Sequence, residues 1–317
     1  MRSLLLLLVV FFTVTAQGAY PDKPVRFVIP SAPGGSPDVL MRILVAELSK
    51  QMGVPFVVEN KPGASFVIGT LDIAHAAPDG YTLGYGNIVS LATNRSLLEK
   101  VPYDVEKDLT LVSNIARVYN LLAVNNSLPV RRVPELIAYA KKNPGRLVMA
   151  SSGNGTTGHL GGELFKAMTG TFILHVPYRG SPQAINDLMG GQAQMMFDNL
   201  PSIGPHAKAG RVRGLAVSGP KRAASFPDLP TVAEAGVPGY ETIAWGGVMG
   251  PAGLPKEIVA RLYAEIRAAV ASPALQERYR NLDTDIDGGT PEEFLALVRS
   301  ETPKWAAVIK RAGAKVD

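Results

Sequence analysis

From Val25 onwards the chain alternates short apolar runs with segments of helical periodicity, and two of the junctions are glycine-rich loops that open directly into a helix. This alternation constrains the fold more than any other feature. Successive strand–helix units pair as parallel strands when the helices cross over and cover the sheet. Val25-Arg26-Phe27-Val28-Ile29 has strand character, and Pro33-Gly34-Gly35 turns the chain. Ser36-Pro37-Asp38 then suits a helix start, with Ser at the N-cap, Pro at the first helical position and an acid at the positive end of the dipole. Leu40, Ile43, Leu44 and Leu48 give that helix one apolar face. Strands are expected again at 56–58 and 81–85, around a small-residue helix over 66–76. The pattern resumes with helices at 134–142, 160–168 and 183–189, and strands at 147–150, 172–176, 194–197 and 212–217. The last third is helix-rich, with 255–271 and 291–312 the clearest segments. The fold class expected is α/β with mostly parallel sheets and helices on both faces.

No low-complexity linker separates two autonomous domains. Two lobes whose chain crosses between them more than once fit the pattern better. The crossings are placed near 121–124 and 217–220. Residues 20–122 and 219–317 then form the first lobe, and 123–218 the second.

The chain opens with Met1-Arg2-Ser3, an apolar run from Leu4 to Val14 broken only by Thr13, and small and polar residues up to Ala19. That order is the layout of a secretory signal peptide. The run falls short of the ~20 apolar residues a spanning helix needs, so a membrane anchor is the weaker reading. No cysteine follows it, which excludes a lipid-modified cysteine. Residues 1–19 are therefore assigned to a signal peptide, with a mature start expected between Gln17 and Tyr20, in the periplasm. Because cysteine is absent altogether, export brings no disulfide framework, thiolate metal site or cysteine nucleophile. Basic residues exceed acidic ones by 32 to 27 but are scattered, with pairs such as Arg131-Arg132 and Lys221-Arg222 the densest. No basic stripe interleaves with aromatics, so nucleic-acid binding is not expected.

The chemistry lies in the two loops, Pro30 to Asp38 and Ser151 to His159. Glycine lets the backbone approach a ligand closely, and the free N–H groups of a helix start favour an anion. Open α/β sheets bind ligands beyond the carboxyl ends of their strands, where both loops should lie. Each loop alone is equally an ordinary capped turn, but one per lobe points to a site between them. Gly153, Gly155 and Gly158 match G-x-G-x-x-G. A dinucleotide site would need an acid ~20 residues on, and the stretch Ile173 to Arg179 has none. Neither a phosphate loop nor a nucleophile elbow is present. His75, His159, His175 and His206 are too dispersed for a local metal motif. Neither a cofactor nor a metal is expected, and His159 is singled out only because it follows the second loop.

Several blocks in order resemble the Bug-type substrate-binding receptors of tripartite tricarboxylate transporters. They are Tyr20-Pro-Asp-Lys-Pro-Val-Arg, Ala32-Pro-Gly-Gly-Ser-Pro-Asp38, Val58-Glu-Asn-Lys-Pro-Gly-Ala64, Ala77-Pro-Asp-Gly-Tyr-Thr-Leu83, Ser151 to Leu160, His175-Val-Pro-Tyr-Arg-Gly180, Met196-Phe-Asp-Asn199, Pro230 to Gly236 and Gly289 to Phe294. The resemblance implies a two-lobed periplasmic binding protein of the type II, flytrap kind, without catalysis. It also implies that a small organic carboxylate is passed to membrane transporter subunits, and a monomer is expected. Carried over by position, it assigns Ser31, Ala32, Gly35, Ser36 and Asp38 to the site in the first lobe, with Ser151, Thr156, Thr157 and His159 in the second. Asn87, Tyr178 and Asp198 would line the cleft, Asp198 having helix capping as its alternative role. The chain departs from the family at Ser31-Ala32, where a bulkier pair is usual, and at Pro37, which offers neither N–H nor hydroxyl. A ligand sensor docking to a signalling membrane partner, and a hydrolase using a cleft serine with His159, are the alternatives.

Overall fold

A computed structural model describes residues 20–314. The expected signal peptide lies outside the described residues. Among them no helix is long and apolar enough to cross a membrane.

The chain begins β1 (Val25–Ile29), α1 (Ser36–Met52), β2 (Phe56–Asn60), α2 (Val67–Ala74) and β3 (Thr82–Asn87). A π-helical turn (Val89–Thr93) and two short helices, α3 (Asn94–Leu97) and α4 (Val105–Asp108), lead into the long strand β4 (Leu109–Val124). Then come α5 (Val133–Lys142), β5 (Val148–Ser151), α6 (Thr157–Thr169), β6 (Leu174–Pro177), α7 (Ser181–Gly190), β7 (Met195–Asn199), α8 (Leu200–Lys208) and β8 (Arg213–Val217). The chain closes with β9 (Ile243–Pro251), α9 (Lys256–Ala271), α10 (Pro273–Arg280), β10 (Thr284–Ile286) and α11 (Pro291–Ala312).

Each lobe has the parallel core that strand–helix alternation dictates. β1 pairs in parallel with β2 and β3, and β5 with β6 and β7. The sheet as a whole is mixed rather than mostly parallel. β9 runs antiparallel to both β3 and β4, and β4 is antiparallel to β7, β8 and β10. The strand order is β2-β1-β3-β9-β4-β7-β5-β6. β4 pairs with β9 from Leu109 to Tyr119 and with β7 from Asn120 to Val124, so one strand belongs to both lobes.

Packing follows the apolar faces. Leu40, Leu44 and Leu48 of α1 meet Phe27 and Ile29 of β1 and Leu262, Ile266 and Tyr279 of α9 and α10. Burying each such side chain stabilises by about 1.5–3 kcal/mol. The opposite face of the first lobe holds Ile73, Leu91, Phe294 and Trp305. In the second lobe Leu136 and Phe165 cover one face, and Ile185, Leu188 and Ile203 the other. Val232, Val237 and Tyr240 pack into the second lobe's core, while Ser225 bonds Asp283 after α10. β9 begins to pair with β4 at Ile243. α11 is stabilised at its start by a capping box of Thr290 and Glu293. Its Phe294 and Trp305 lie in the first lobe's core, while its Val308 also packs against the second.

Candidate ligand-binding cleft

The second lobe's loop shows how the sequence builds a helix start. Gly155 sits at φ +78°, where an L side chain is strained, and turns the chain into α6. The Thr156 hydroxyl accepts the His159 N–H at 3.3 Å and donates to the Gly153 carbonyl at 2.8 Å. Thr156 is thus the N-cap, its hydroxyl already engaged within the loop. Behind it, the Gly155 N–H donates to His159 Nδ1 at 3.1 Å. The Ser151 hydroxyl lies 2.7 Å from His175 Nε2 and accepts the Gly153 N–H at 3.3 Å. The two imidazoles stack with centroids 4.1 Å apart and 13° between planes. Burial drives both bases down, His159 to about 4 and His175 to about 3, with the Lys166 charge adding to the effect on each and His159 itself adding to that on His175. Both are neutral at physiological pH.

Glu163 brings a third potential ligand atom within 4.8 Å of the two histidines. In stacked, nearly parallel rings the nitrogen lone pairs run side by side instead of converging on one ion. Glu163 is moreover paired with Lys166 at 2.7 Å. The cluster braces the loop.

The first lobe's loop is secured differently. Asp38, 5% exposed, accepts the Gly34 N–H on Oδ2 and both the Arg42 Nε–H and the Asn60 amide on Oδ1, each at 2.9 Å. The Asn60 amide also donates to the Ser31 carbonyl at 3.0 Å. Gly35, not Ser36, is the N-cap of α1.

Between the two loops lies a cavity of about 670 Å³. Among the residues expected at the site, it is lined by Ser31, Ala32, Gly35, Ser36, Asn87, Thr156, Thr157, Tyr178 and Asp198. Asp38, Ser151 and His159 are not in its wall. They are buried behind the loops and hold them in shape. Asn87 caps the π-helical turn, accepting the N–H groups of Val89 and Ser90 at 3.0 and 3.2 Å. The Tyr178 hydroxyl donates to Asp187 at 2.6 Å.

Five helix starts open onto this cavity: Gly35-Ser36 of α1, Phe66 before α2, Thr156-Thr157 of α6, Gly180-Ser181 of α7 and Asn199 before α8. The first N–H groups of a helix have no partner inside it. The charged side chains in the wall are Arg179, which is exposed, and Asp198. Sequence reasoning missed the α7 start and the loop Pro62–Phe66. In that loop Ala64, Ser65 and Phe66 have φ of 45°, 50° and 70°. Their residue types do not favour that region, so nothing in their identity marks the turn. It is held from outside, by the Asn94 amide donating to the Ser65 carbonyl at 2.8 Å.

The lobes touch on both sides of the cavity. Thr93 in the first lobe donates to the Gly155 carbonyl at 3.2 Å. At the other lip, a Cβ placed on Gly180 would stand 2.7 Å from the Ala32 Cβ. The small residue at position 32 therefore meets the opposite lip and does not simply widen the cavity.

Residues 40–314 match the family model described as tripartite tricarboxylate transporter family receptor. The UPF0065 protein in the tcbD-tcbE intergenic region of Pseudomonas sp. (strain P51) is 38% identical over 92% of this chain and 87% of its own length. The adipate-bound structure of R. palustris Rpa4515 superposes with a TM-score of 0.92 at 42% identity, over 94% of this chain and all of that one. MatC (Rpa3494) of Rhodopseudomonas palustris, solved with malate, gives 0.87 at 30% identity, over 92% of this chain and 100% of that one.

Proposed function

The chain belongs to the tripartite tricarboxylate transporter receptor family, and on that premise we propose that its interlobe cavity captures a small dicarboxylate through backbone N–H groups. It is a periplasmic solute receptor that serves membrane transporter subunits, not an enzyme. The observation that carries the ligand class is the convergence of five helix starts on one cavity with no buried cation in its wall among the described residues. Burying a carboxylate without partners is prohibitive. Here N–H groups aligned with helix dipoles supply the compensation. The donors we assign are the first-turn N–H groups of Ser36 in the first lobe and of Thr157, Gly158 and Ser181 in the second, with the hydroxyls of Ser31 and Ser36; the Thr157 and Ser181 hydroxyls are engaged with Asn120 and Asp198. The Ser31 oxygen is buried without a hydrogen-bond partner, which fits a group kept for a ligand. Asp38, Asn87, Ser151, Thr156 and His159 shape the loops that present these donors. For the division into lobes we take 20–119 with 242–317 against 120–241.

Adipate and malate, the ligands in the two solved relatives, are diacids. They are the first compounds to test, ahead of other short diacids. Ligand present at a hundred times its Kd stabilises the native state by about 2.7 kcal/mol. A thermal-shift screen should therefore raise Tm with the diacid and leave it unchanged with the corresponding diamide. Equal stabilisation by acid and amide would refute recognition of the anion.

A further inference from the structure

Asp198 is the one acid in the cavity wall, and it is 2% exposed. It is the penultimate residue of β7, between two of the helix starts, paired across the sheet with Leu121 of β4. The Ser181 hydroxyl donates to its Oδ1 at 3.1 Å, while Oδ2 is buried without a hydrogen-bond partner. No ion pair reaches it among the described residues. An ionised carboxylate in that place leaves a charge in a poorly polarisable wall with half its acceptors unmet. A ligand carboxylate brings a second negative charge into the same enclosed space, and like charges sharing a site drive one of them to take a proton.

Resting on the proposed function, we propose that Asp198 is the charge selector of the cleft: it is protonated whenever an organic dianion is bound, so that capture takes up one proton from solvent. The free receptor with ionised Asp198, one proton and the dianion give a complex holding neutral Asp198 and the intact dianion. The neutral carboxyl is what allows the second carboxylate of a diacid to be tolerated in a cleft already carrying an acid. A cleft with ionised Asp198 favours monoanions or uncharged solutes.

The surroundings support this assignment. Burial pushes the Asp198 carboxyl up to about 7, with the Ser181 hydrogen bond and the nearby polar groups of Asn199 and Ser152 pulling it part of the way back. The other titratable groups on the packed elements are Arg117 and Tyr119 of β4, His159, Glu163 and Lys166 of α6, His175 of β6, Tyr178 and Arg179 after it, Asp187 of α7, and His206 and Lys208 of α8. Tyr178 is raised to about 12 by its bond to Asp187. Both cluster histidines are neutral above about pH 5, His206 is lowered by burial, and Arg179 is exposed. Asp198 is the acid of the cavity wall that burial carries into the neutral range. Its raised value means that the protonated form dominates below about pH 7 in the free protein and to higher pH in the complex. Diacid affinity therefore falls as pH rises above 7, approaching a tenfold loss per unit when the bound form stays protonated.

The test uses the mature receptor with adipate as probe, and D198N as the permanently neutral isostere. Calorimetry at pH 8 in phosphate and in Tris, whose ionisation heats differ, should reveal uptake of more than half a proton by the wild type and none by D198N. The D198N affinity should be flat between pH 7 and 9. Adipate binding to the wild type with no proton uptake, or a pH slope that persists in D198N, overturns the proposal. Melting of the ligand-free proteins gives an independent arm: the wild type should lose stability between pH 6 and 8 relative to D198N, and parallel curves also overturn it. If neither adipate nor malate binds, the capture of diacids is what fails, and the ligand-free arm still decides the state of Asp198.

Discussion

The two loops that face each other across the cavity have the same design, strand end to glycine turn to helix start, but they are anchored by opposite means. The first loop is tied by a charge. Asp38 gathers Gly34, Arg42 and Asn60, and Arg42 is half exposed. The second is tied by a neutral cluster in which Ser151 and His159 are buried, His175 is half-buried and both imidazoles are held uncharged. A helix start is therefore specified less by a sequence motif than by whatever satisfies the turn behind it, and the choice of anchor sets which stress each lobe resists. A carboxylate anchor tolerates water at its edge. A neutral imidazole anchor resists salt but not acid.

Acid gives the largest expected separation of the two. The folded-state value of His159 lies below that of the unfolded chain, so its contribution is fully present above about pH 6.5 and lost as pH falls towards 4. That amounts to about 3 kcal/mol for His159 alone. Tm followed from pH 7 to 4 should fall steeply, and His159→Gln should flatten the slope. Asp198 acts with the opposite sign in the same lobe: its raised value gives stability that is present below about pH 4 and lost as pH rises through 7. A wild-type curve without an acid limb would remove the contrast.

Glycines of the two loops should respond unequally. A Cβ on Gly158 would stand 2.3 Å from the Phe197 carbonyl oxygen, a backbone atom that cannot step aside. Gly158→Ala should cost about 2–3 kcal/mol as α6 is pushed off β7. On Gly35 the nearest atom to a Cβ would be 3.4 Å away and φ is −75°. Gly35→Ala should cost about 1 kcal/mol, the loss expected when Ala replaces Gly at an N-cap, and urea titrations of both variants compare them directly.

Closure is tested at the lip. Gly180→Ala places a methyl 2.7 Å from the Ala32 Cβ, at a φ of +145° that already disfavours a side chain, and should weaken adipate binding about tenfold, equivalent to about 1.4 kcal/mol. An unchanged Kd would show that these lips do not meet in the complex. The smallest effect is expected at Thr156. Because its hydroxyl caps α6, Thr156→Ala should lose about 1 kcal/mol of stability while affinity holds within about twofold.

The strand–helix order of both lobes was legible in the sequence, and 255–271 and 291–312 came within one residue of α9 and α11. Those helices have one buried face, so their periodicity survives. β4 and β9 were missed because they are central. β4 is buried nearly throughout, which erases alternation. β9 carries Gly246, Gly247 and Gly250, poor strand formers. The packing requires them: a Cβ on Gly247 would lie 2.0 Å from the Ser113 carbonyl, and one on Gly246 would lie 2.2 Å from the Tyr85 hydroxyl. The two glycine loops announced the cleft, but not which side chains face it. Asp38, Ser151 and His159 looked like contacts because they sit in the right stretch, yet each points behind its loop. That distinction depends on packing from elsewhere in the chain, as does the left-handed turn at 64–66.

A strand shared by two sheets cannot behave as a pin on which a door swings. β4 is pinned by β9 and β10 along one part and by β7 and β8 along the other, leaving the junction at Tyr119-Asn120 to take up any relative rotation. Such a member works as a torsion bar: it takes up a small twist at that junction and returns it. The jaws can change their angle but not slide past one another, so they remain aligned through each cycle of loading and release, and the donors of one lip meet those of the other in the same order every time.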